Sequence, residues 1–430
     1  MLPGAVVPPQ KEIEEIKLGE QVADGIVAAL TQEFPSSPSH PGVLKEEKEV
    51  CVFSGKDYVE CMENMEKYFL QNRWSDGLPL VPPTEEAVNR MLEGTELPRH
   101  HVVGLVEPVP AEATVEKIAI NAVMAGCLPQ YMPVIIAAVE AITDPMFDLR
   151  GVQCTAGLVS PFLIVSGQKL IEELNINDSF STIGPGWRAN ATIGRAIRLM
   201  MINIGHMWPG EPDMKSFGSP FKYVTLMAEN EAAYMGAWEP MRVTEGFNYD
   251  QPTISVMPAV SWQPELVRPE TATTEKSVEL ISKQARVKYD RDAITWGMDN
   301  LVIISPAVLD VFRREQRSRI DIQKAIYEAS RLPCSEFFGG KEPSAEVGVK
   351  PKPEWLIEKC KVDPGALVPL FLKPESIKIC VAGAPGPGMV AYISTWGFGP
   401  AHFVTKAIKP PQNWENLLEK YKGWESPIVR

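Results

Sequence analysis

A short apolar string that reads as a buried strand and runs straight into a helix occurs twice in this chain. FLIVSG at 162–167 and LVIISP at 301–306 are the two copies. Uninterrupted apolar runs of this length mark strands covered on both faces, as in α/β proteins. Other strings recur in the same order. ATVEK (113–117) resembles ATTEK (272–276), GRAIRLM (194–200) resembles QKAIYEA (323–329), and KYVTLMAENEA (222–232) resembles KICVAGAPGPG (378–388). The offset shortens by about 20 residues from the first pair to the strand pair, so a second copy would lack roughly the helix around Pro129 and Pro133. Chance similarity of short apolar strings is the competing explanation. Duplication predicts an α/β fold of two similar α/β lobes behind a helical N-terminal arm: 1–60 as the arm, 61–248 as the first lobe and 249–430 as the second. A cleft between the lobes is then the natural ligand site.

The arm reading comes from charge. Of 430 residues, 42 are Lys or Arg and 55 are Asp or Glu, for a net charge of −13. Nearly half of that excess lies in residues 1–60. Ile13 to Leu30 has apolar residues at helical spacing, and FPSSPSHPG (34–42) reads as a linker. The arm is either a solvated or packing segment, or a partner-binding helix. An acidic chain argues against a nucleic-acid groove, which needs a clustered positive field. The N-terminus lacks the basic and apolar regions of a signal peptide. Ile118 to Val139 is long enough to span a bilayer, but Pro129 and Pro133 interrupt it, so it reads as two buried helices joined at Pro129. Further helices are expected over 56–72, 112–125, 168–174 and 191–204, with Thr84 capping another.

The five His residues and seven Cys residues give no HxxxH and no CxxC, which argues against a classical zinc site. No cofactor is evident, and a carboxylate-held Mg²⁺ stays open. An odd, scattered set of thiols suggests a reducing cytoplasm and no disulfide framework.

The strongest local signal is TIGPGWRANATIGRAIR (182–198). Gly184, Pro185 and Gly186 form a turn that presents Trp187 and Arg188, and Asn190 or Thr192 would cap the following helix. Such a turn exposes N–H groups and a positive dipole end to a carboxylate or phosphate. Arg188 could grip the anion, and Arg195 and Arg198 lie one turn apart on the same helix. The alternative is a structural turn whose arginines pair with surplus acids. Cys127, between Gly126 and Pro129, is either a helix-start thiol of lowered pKa or a small buried side chain. AGAPGPG (382–388) places Gly383 and Gly386 at the end of a strand, where ligands bind in open sheets. His402 follows, as a general base or a structural residue. Asp76 in WSDGLPLVPPT and the Glu229, Asn230, Glu231 triplet complete the polar set, with Glu112, Lys117 and Asn121 near the third helix.

Together, DGLPLVPPTEEAV, ATVEKIAINAVMAGCLPQYMPVIIAAVEAI, GPGWRANATIGRAIRL and KYVTLMAENE resemble a bacterial protein family that accompanies UGSC-type (seleno)proteins. The Sec/Cys motif of those partners is similar to that of glycine reductase component B. The resemblance covers roughly residues 70–245. It implies a UGSC-type partner and places the family's strings on Asp76, Glu112, Lys117, Asn121, Cys127, Gly184, Gly186, Trp187, Arg188, Asn190, Thr192, Arg195, Glu229 and Asn230. The chain departs from the pattern at Gln130 and Phe221, and has no UGSC-like motif of its own.

The resulting expectation is an oligomeric, cytoplasmic enzyme acting on a small anionic substrate that bears a carboxylate. Arg188 and the turn amides would hold the anion, Cys127 would be the nucleophile or redox thiol, and Glu229 or Glu112 the acid/base. Thiol-dependent reductive cleavage or transfer is one reaction class; a lyase or hydratase without redox is another. A non-catalytic subunit of a heteromeric reductase is the third reading.

Overall fold

The apolar strings expected as buried strands form two halves of one sheet in the computed structural model, which describes residues 50–426 except 185, 224, 235, 289–292, 345–351, 397–398 and 425. The expected arm helix over 13–30 and the linker over 34–42 lie outside the described residues. The chain divides into two units, Met1–Cys61 and Met62–Arg430. The sheet lies in the second unit. Its strands are β1 (Ser160–Ser166), β2 (Thr225–Ala228), β3 (Thr253–Val267), β4 (Asn300–Ile304), β5 (Ile377–Val381), β6 (Gly388–Thr395) and β7 (Val404–Ala407). They run in the order β5-β4-β6-β3-β1-β2, with β7 beside β3.

One topology is used twice. β1 is parallel to β2 and antiparallel to β3, while β4 is parallel to β5 and antiparallel to β6. The halves join where β3 and β6 pair antiparallel, from Ala259 opposite Thr395 to Val267 opposite Gly388. The expected lobes 61–248 and 249–430 therefore share one continuous sheet. β3 is continuous over 15 residues, whereas its counterpart is split into β6 and β7. The strand register also corrects the repeat. Phe162 lies opposite Thr225 and Leu301 opposite Lys378, so Lys378 corresponds to Thr225 and not to Lys222.

The sheet curls until its two edges touch. The Asn230 N–H donates to the Val381 carbonyl at 2.8 Å, and the Val381 N–H donates to the Tyr234 hydroxyl at 3.3 Å. Alternation along the strands sends Phe162, Ile164, Met227, Met257, Leu301, Ile303 and Ile393 to one inner cluster. Each such large side chain contributes about 1.5–3 kcal/mol on burial.

The outer face is covered by helices. These are α1 (Glu85–Leu92), α2 (Val115–Ala125), α3 (Met132–Ile142), α4 (Gln168–Glu173), α5 (Arg188–Asn203), α6 (Thr274–Lys288), α7 (Pro306–Arg314) and α8 (Arg319–Ala329). In the first half α2 packs on α5, and α3 packs on β3 and β7. In the second half α6 packs on α8, and α6 and α7 pack on β6. The paired strings ATVEK and ATTEK start α2 and α6 with the same cap. The Lys117 N–H donates to Thr114 Oγ1 at 3.3 Å, and the Lys276 N–H donates to Thr273 Oγ1 at 3.1 Å.

Thr84 caps α1 as expected, accepting from the Ala87 N–H at 3.2 Å. The helix expected over 112–125 begins later, because Glu112 belongs to a short strand, Ala111–Thr114, and lies opposite Leu105. Gly126, at φ 86°, ends α2 in the left-handed conformation glycine favours. The apolar stretch 118–139 folds as α2 and α3 joined through Pro129–Tyr131. Among the described residues no helix is long and apolar enough to cross a membrane. The expectation of unpaired thiols is corrected at one place. Cys334 and Cys360 form a disulfide 26 residues apart in sequence, a distance that carries no motif. The inference of a reducing compartment from scattered thiols loses that support.

Candidate functional site

The start of α5 gathers many of the expected residues. Gly186 has φ 118°, and Trp187 stands at the N-cap in extended conformation without a side-chain cap bond. The helix begins at Arg188, so Asn190 and Thr192 lie inside it and do not cap it. Asn190 instead ties the turn to β2. Its Oδ1 accepts from the Asn177 N–H at 2.8 Å, and its Nδ2 donates to the carbonyls of Asn177, Thr182 and Leu226 at 3.2, 3.3 and 3.4 Å. The Thr192 hydroxyl donates back to the Arg188 carbonyl at 2.8 Å.

The anion position at this helix end is filled by the chain's own C-terminal segment. The Arg188 N–H donates to Ser426 Oγ at 2.9 Å, and its guanidinium donates to the Trp424 carbonyl at 3.1 Å while lying over the Trp424 ring. Cys127 lies behind the first turns of α5, with its thiol donating to the Thr192 carbonyl at 3.2 Å. Burial pushes this thiol up to about 12, against the weaker pull of Arg188 and Arg195. The reading of Cys127 as an activated helix-start thiol is corrected: it is a protonated, buried side chain. Arg195 is also committed. It makes a bidentate pair with Asp76 at 2.8 Å and donates to the carbonyls of Leu78 and Pro79 at 3.1 and 3.0 Å. Asp76 and Arg195 thus fasten the loop 74–81 to α5.

One turn further along α5 the situation reverses. Arg198, with 11% of its side chain exposed, has its closest carboxylate oxygen, on Asp213, at 4.0 Å. Burial lowers its affinity for its proton. Two further cations reach the same carboxylate. Lys215 Nζ lies 3.6 Å from Asp213 Oδ1, and Lys222 pairs with Oδ2. Desolvation opposes ionisation of Asp213, but the Lys222 hydrogen bond and the lysine charges hold its carboxyl below the usual range. Arg198, Lys215 and Lys222 line a small cavity with Gln153 and Ser160. The Lys215 amine donates to the carbonyls of Val152 and Gln153 at 3.0 and 2.8 Å. Burial, aided by Lys222 and Arg198, pulls its pKa down to about 8. Of this cluster the sequence pointed to Arg198, and to Lys222 only as the start of the KYVTLMAENE string. Asp213 ends a two-residue strand, Lys222 lies in a 3₁₀ turn (Pro220–Tyr223) and Lys215 in the loop between them, and no local signal joins them to a helix ten or more residues earlier.

The remaining expected residues fall elsewhere. Glu229 is fully buried, one residue past β2. One oxygen accepts from the Tyr234 hydroxyl at 2.5 Å and from the Met241 N–H at 2.8 Å, and the other is unpartnered among the described residues. Neither contact belongs to the Cys127–Arg188 group, so the expected convergence of Cys127, Arg188 and Glu229 is corrected. Asn230 does meet the 382–388 loop: its Nδ2 donates to the Gly383 carbonyl at 3.1 Å. Gly386 has open space around it. Glu231 accepts from the N–H groups of Gly167 and Gln168, serving the start of α4. Asn121 links Lys117 of its own helix to Asn203 of α5. Glu112 is exposed on its short strand. His402 is half-buried, and desolvation lowers its pKa. Sequence reading also missed Asp299, which burial raises to about 6 despite Lys378 at 3.9 Å.

Among the described residues no three His, Cys, Asp or Glu side chains cluster as a metal would require. What the α5 cluster can do chemically is hold an anion on a desolvated guanidinium and exchange a proton at a near-neutral amine. No family model and no curated protein matches the chain.

Proposed function

We propose that the chain is an enzyme that binds a small carboxylate-bearing substrate at Arg198 and moves a proton through Lys215, in a lyase or hydratase reaction without redox chemistry. The observation that carries this reading is the charge imbalance around Asp213: three largely buried cations share one carboxylate and line a cavity of about 10 Å³, room for one water, so a substrate carboxylate would enter by displacing lining side chains. A buried cation without a matched anion is costly, and a carboxylate ligand offsets that cost through bidentate hydrogen bonds. Lys215 supports the proton transfer. Its amine donates to the Val152 and Gln153 carbonyls and lies 3.6 Å from Asp213 Oδ1. A pKa of about 8 suits an acid/base working near neutral pH. In elimination, Lys215 would take the proton on carbon as the leaving group departs with the bonding electrons; hydration is the reverse. A thiol mechanism has less support, because Cys127 holds its proton up to about pH 12.

The test is calorimetric titration with small mono-, di- and hydroxycarboxylates, followed by product analysis by NMR. Saturable binding that Arg198→Gln removes, with turnover that Lys215→Met removes, is the expected result. Binding that is unchanged in a folded Arg198→Gln variant would sink the proposal.

A further inference from the structure

The charges around Asp213 constrain the ligand further than its being an anion. Arg198, Lys215 and Lys222 all reach this one carboxylate: Arg198 at 4.0 Å, Lys215 at 3.6 Å and Lys222 as a direct ion pair. At pH 7, below the value of about 8 at which Lys215 gives up its proton, all three are charged. Three positive charges against one negative leave a surplus of two. Groups further out do not remove it. Asp76 is matched by Arg195, and Arg150 and Glu107, whose charges both reach Cys154, offset each other. The side chains of Asp213, Lys215, Arg198 and Lys222 are 1%, 2%, 11% and 18% exposed, so solvent screens the surplus weakly. A monocarboxylate bound at Arg198 would leave one buried positive charge unmatched, whereas a dianion leaves none.

The three cations differ in their freedom to take a ligand. Lys215 is pinned by the carbonyls of Val152 and Gln153 as well as by Asp213. Lys222 has the most exposed side chain of the three, and Asp213 is its one ion-pair partner among the described residues. The turn that carries it stays seated through its neighbour, because the Phe221 ring packs edge-on against Phe162 of β1 at 5.6 Å. The loop between Lys215 and Lys222 has little packing to break: Met214 beside it is exposed and Phe217 is 94% exposed. Room for a ligand larger than one water therefore opens most readily on the Lys222 side of the cavity.

We propose that the ligand of this cavity is a compact dianion and that Lys222 is the residue that selects it. Arg198 takes one anionic group, Lys222 turns from Asp213 to the second, and Lys215 stays with Asp213. This rests on the reading of the Arg198 cavity as the substrate site. All three cationic heads converge on one carboxylate, so the two negative charges of the ligand lie close together. A short diacid meets that requirement, and so does a single doubly charged group such as phosphate.

The test is calorimetric titration of the full chain at pH 7 and constant ionic strength with propionate, malonate, succinate and inorganic phosphate. Malonate or succinate should bind about 10–100-fold more tightly than propionate, the worth of one added charge-assisted hydrogen bond. Phosphate binding more tightly than all three carboxylates would place both charges on one group, and a diacid binding more tightly than phosphate would place them on two. In a folded Lys222→Gln variant the preference for the dianion should shrink to less than about threefold, and Lys222→Arg should restore it. Far-UV circular dichroism establishes folding, and the wild-type comparison stands without any variant. Equal affinity of the wild type for propionate, both diacids and phosphate overturns the dianion and leaves the substrate site in place. Saturable binding of none of them overturns both. A dianion preference that folded Lys222→Gln keeps in full overturns the role of Lys222.

Discussion

Arg195 and Arg198 stand one turn apart on α5 and have opposite electrostatic fates. Arg195 is saturated: two bonds to Asp76 and two to carbonyls use its planar fork. Arg198 is as thoroughly removed from water but meets its carboxylate only at 4.0 Å, and shares it with two lysines. The first arginine is a fastener and the second is, in the proposed function, the receptor. The difference teaches that burial of a charge says little until its partners are counted. A matched pair holds structure together, whereas surplus charge of one sign is tolerated where a ligand completes it.

Stability measurements can break that comparison most directly. Arg195→Met would strand Asp76, which has 12% of its side chain exposed, and should cost about 3–5 kcal/mol in urea unfolding. Arg198→Met removes a desolvated cation with no close partner, so it should change stability by about 1 kcal/mol or less, or raise it. Equal losses in the two variants would erase the distinction between fastener and receptor.

The next effect is on pH dependence. The Lys215 proton is ordinarily lost near 10.5 and in the fold near 8. Between these values the unfolded chain holds a proton that the folded chain has released, so stability should rise with pH across that window and be flat in this contribution below it. The ceiling is on the order of 3 kcal/mol. Lys215→Met should abolish the rise, seen as the difference between two urea series from pH 7 to pH 10.5. A rise that persists in the variant would assign it to another group.

The sequence made one of the two arginines legible and hid the other's role for a physical reason. Strands β1 and β4 are readable because both faces are buried, which leaves uninterrupted apolar strings. The cap at Thr84 is readable because a hydroxyl must stand just before the first turn, whereas the helix expected over 112–125 already includes Thr114, the residue that caps it. The arrangement around Arg198 depends on a segment whose Asp213 and Lys215 follow no period, and on the curl that brings distant segments together. Glu229 reads from the sequence as one of a polar triplet, which the structure sets just past β2. Its direction was not legible, since one residue past β2 decides whether a side chain enters the interior or the surface. Cys127 was found beside Arg188 and Arg195, as the motif suggested, but the sequence does not report how little water reaches it.

Anion affinity sharpens the comparison further. Arg198→Gln should weaken carboxylate binding by about 10–100-fold, the worth of a charged hydrogen bond of roughly 1.5–3 kcal/mol. Arg188→Gln should change it less than about twofold, because that guanidinium already serves Trp424 and lies over its ring. Titration of both variants with the same carboxylate checks this. A large loss at Arg188 would return the receptor role to the first turn of α5. Affinity in the wild type should also fall as pH rises through about 8, since a bound anion favours the charged form of Lys215.

The smallest expected effect concerns Cys127. Its thiol is buried and bonded only to a carbonyl, and its proton is held up to about pH 12. Cys127→Ala deletes one sulfur from a packed site and should cost about 1 kcal/mol of stability, the scale for removing a small buried group. Carboxylate binding and turnover should stay within twofold of wild type, roughly the limit of measurement. In the native chain Cys127 should also alkylate far more slowly than the partly exposed Cys154, read by mass spectrometry of iodoacetamide-treated protein. Loss of turnover with retained binding in Cys127→Ala would restore the thiol to the mechanism. It would also make the first turns of α5, not the Arg198 cavity, the place where the chemistry occurs.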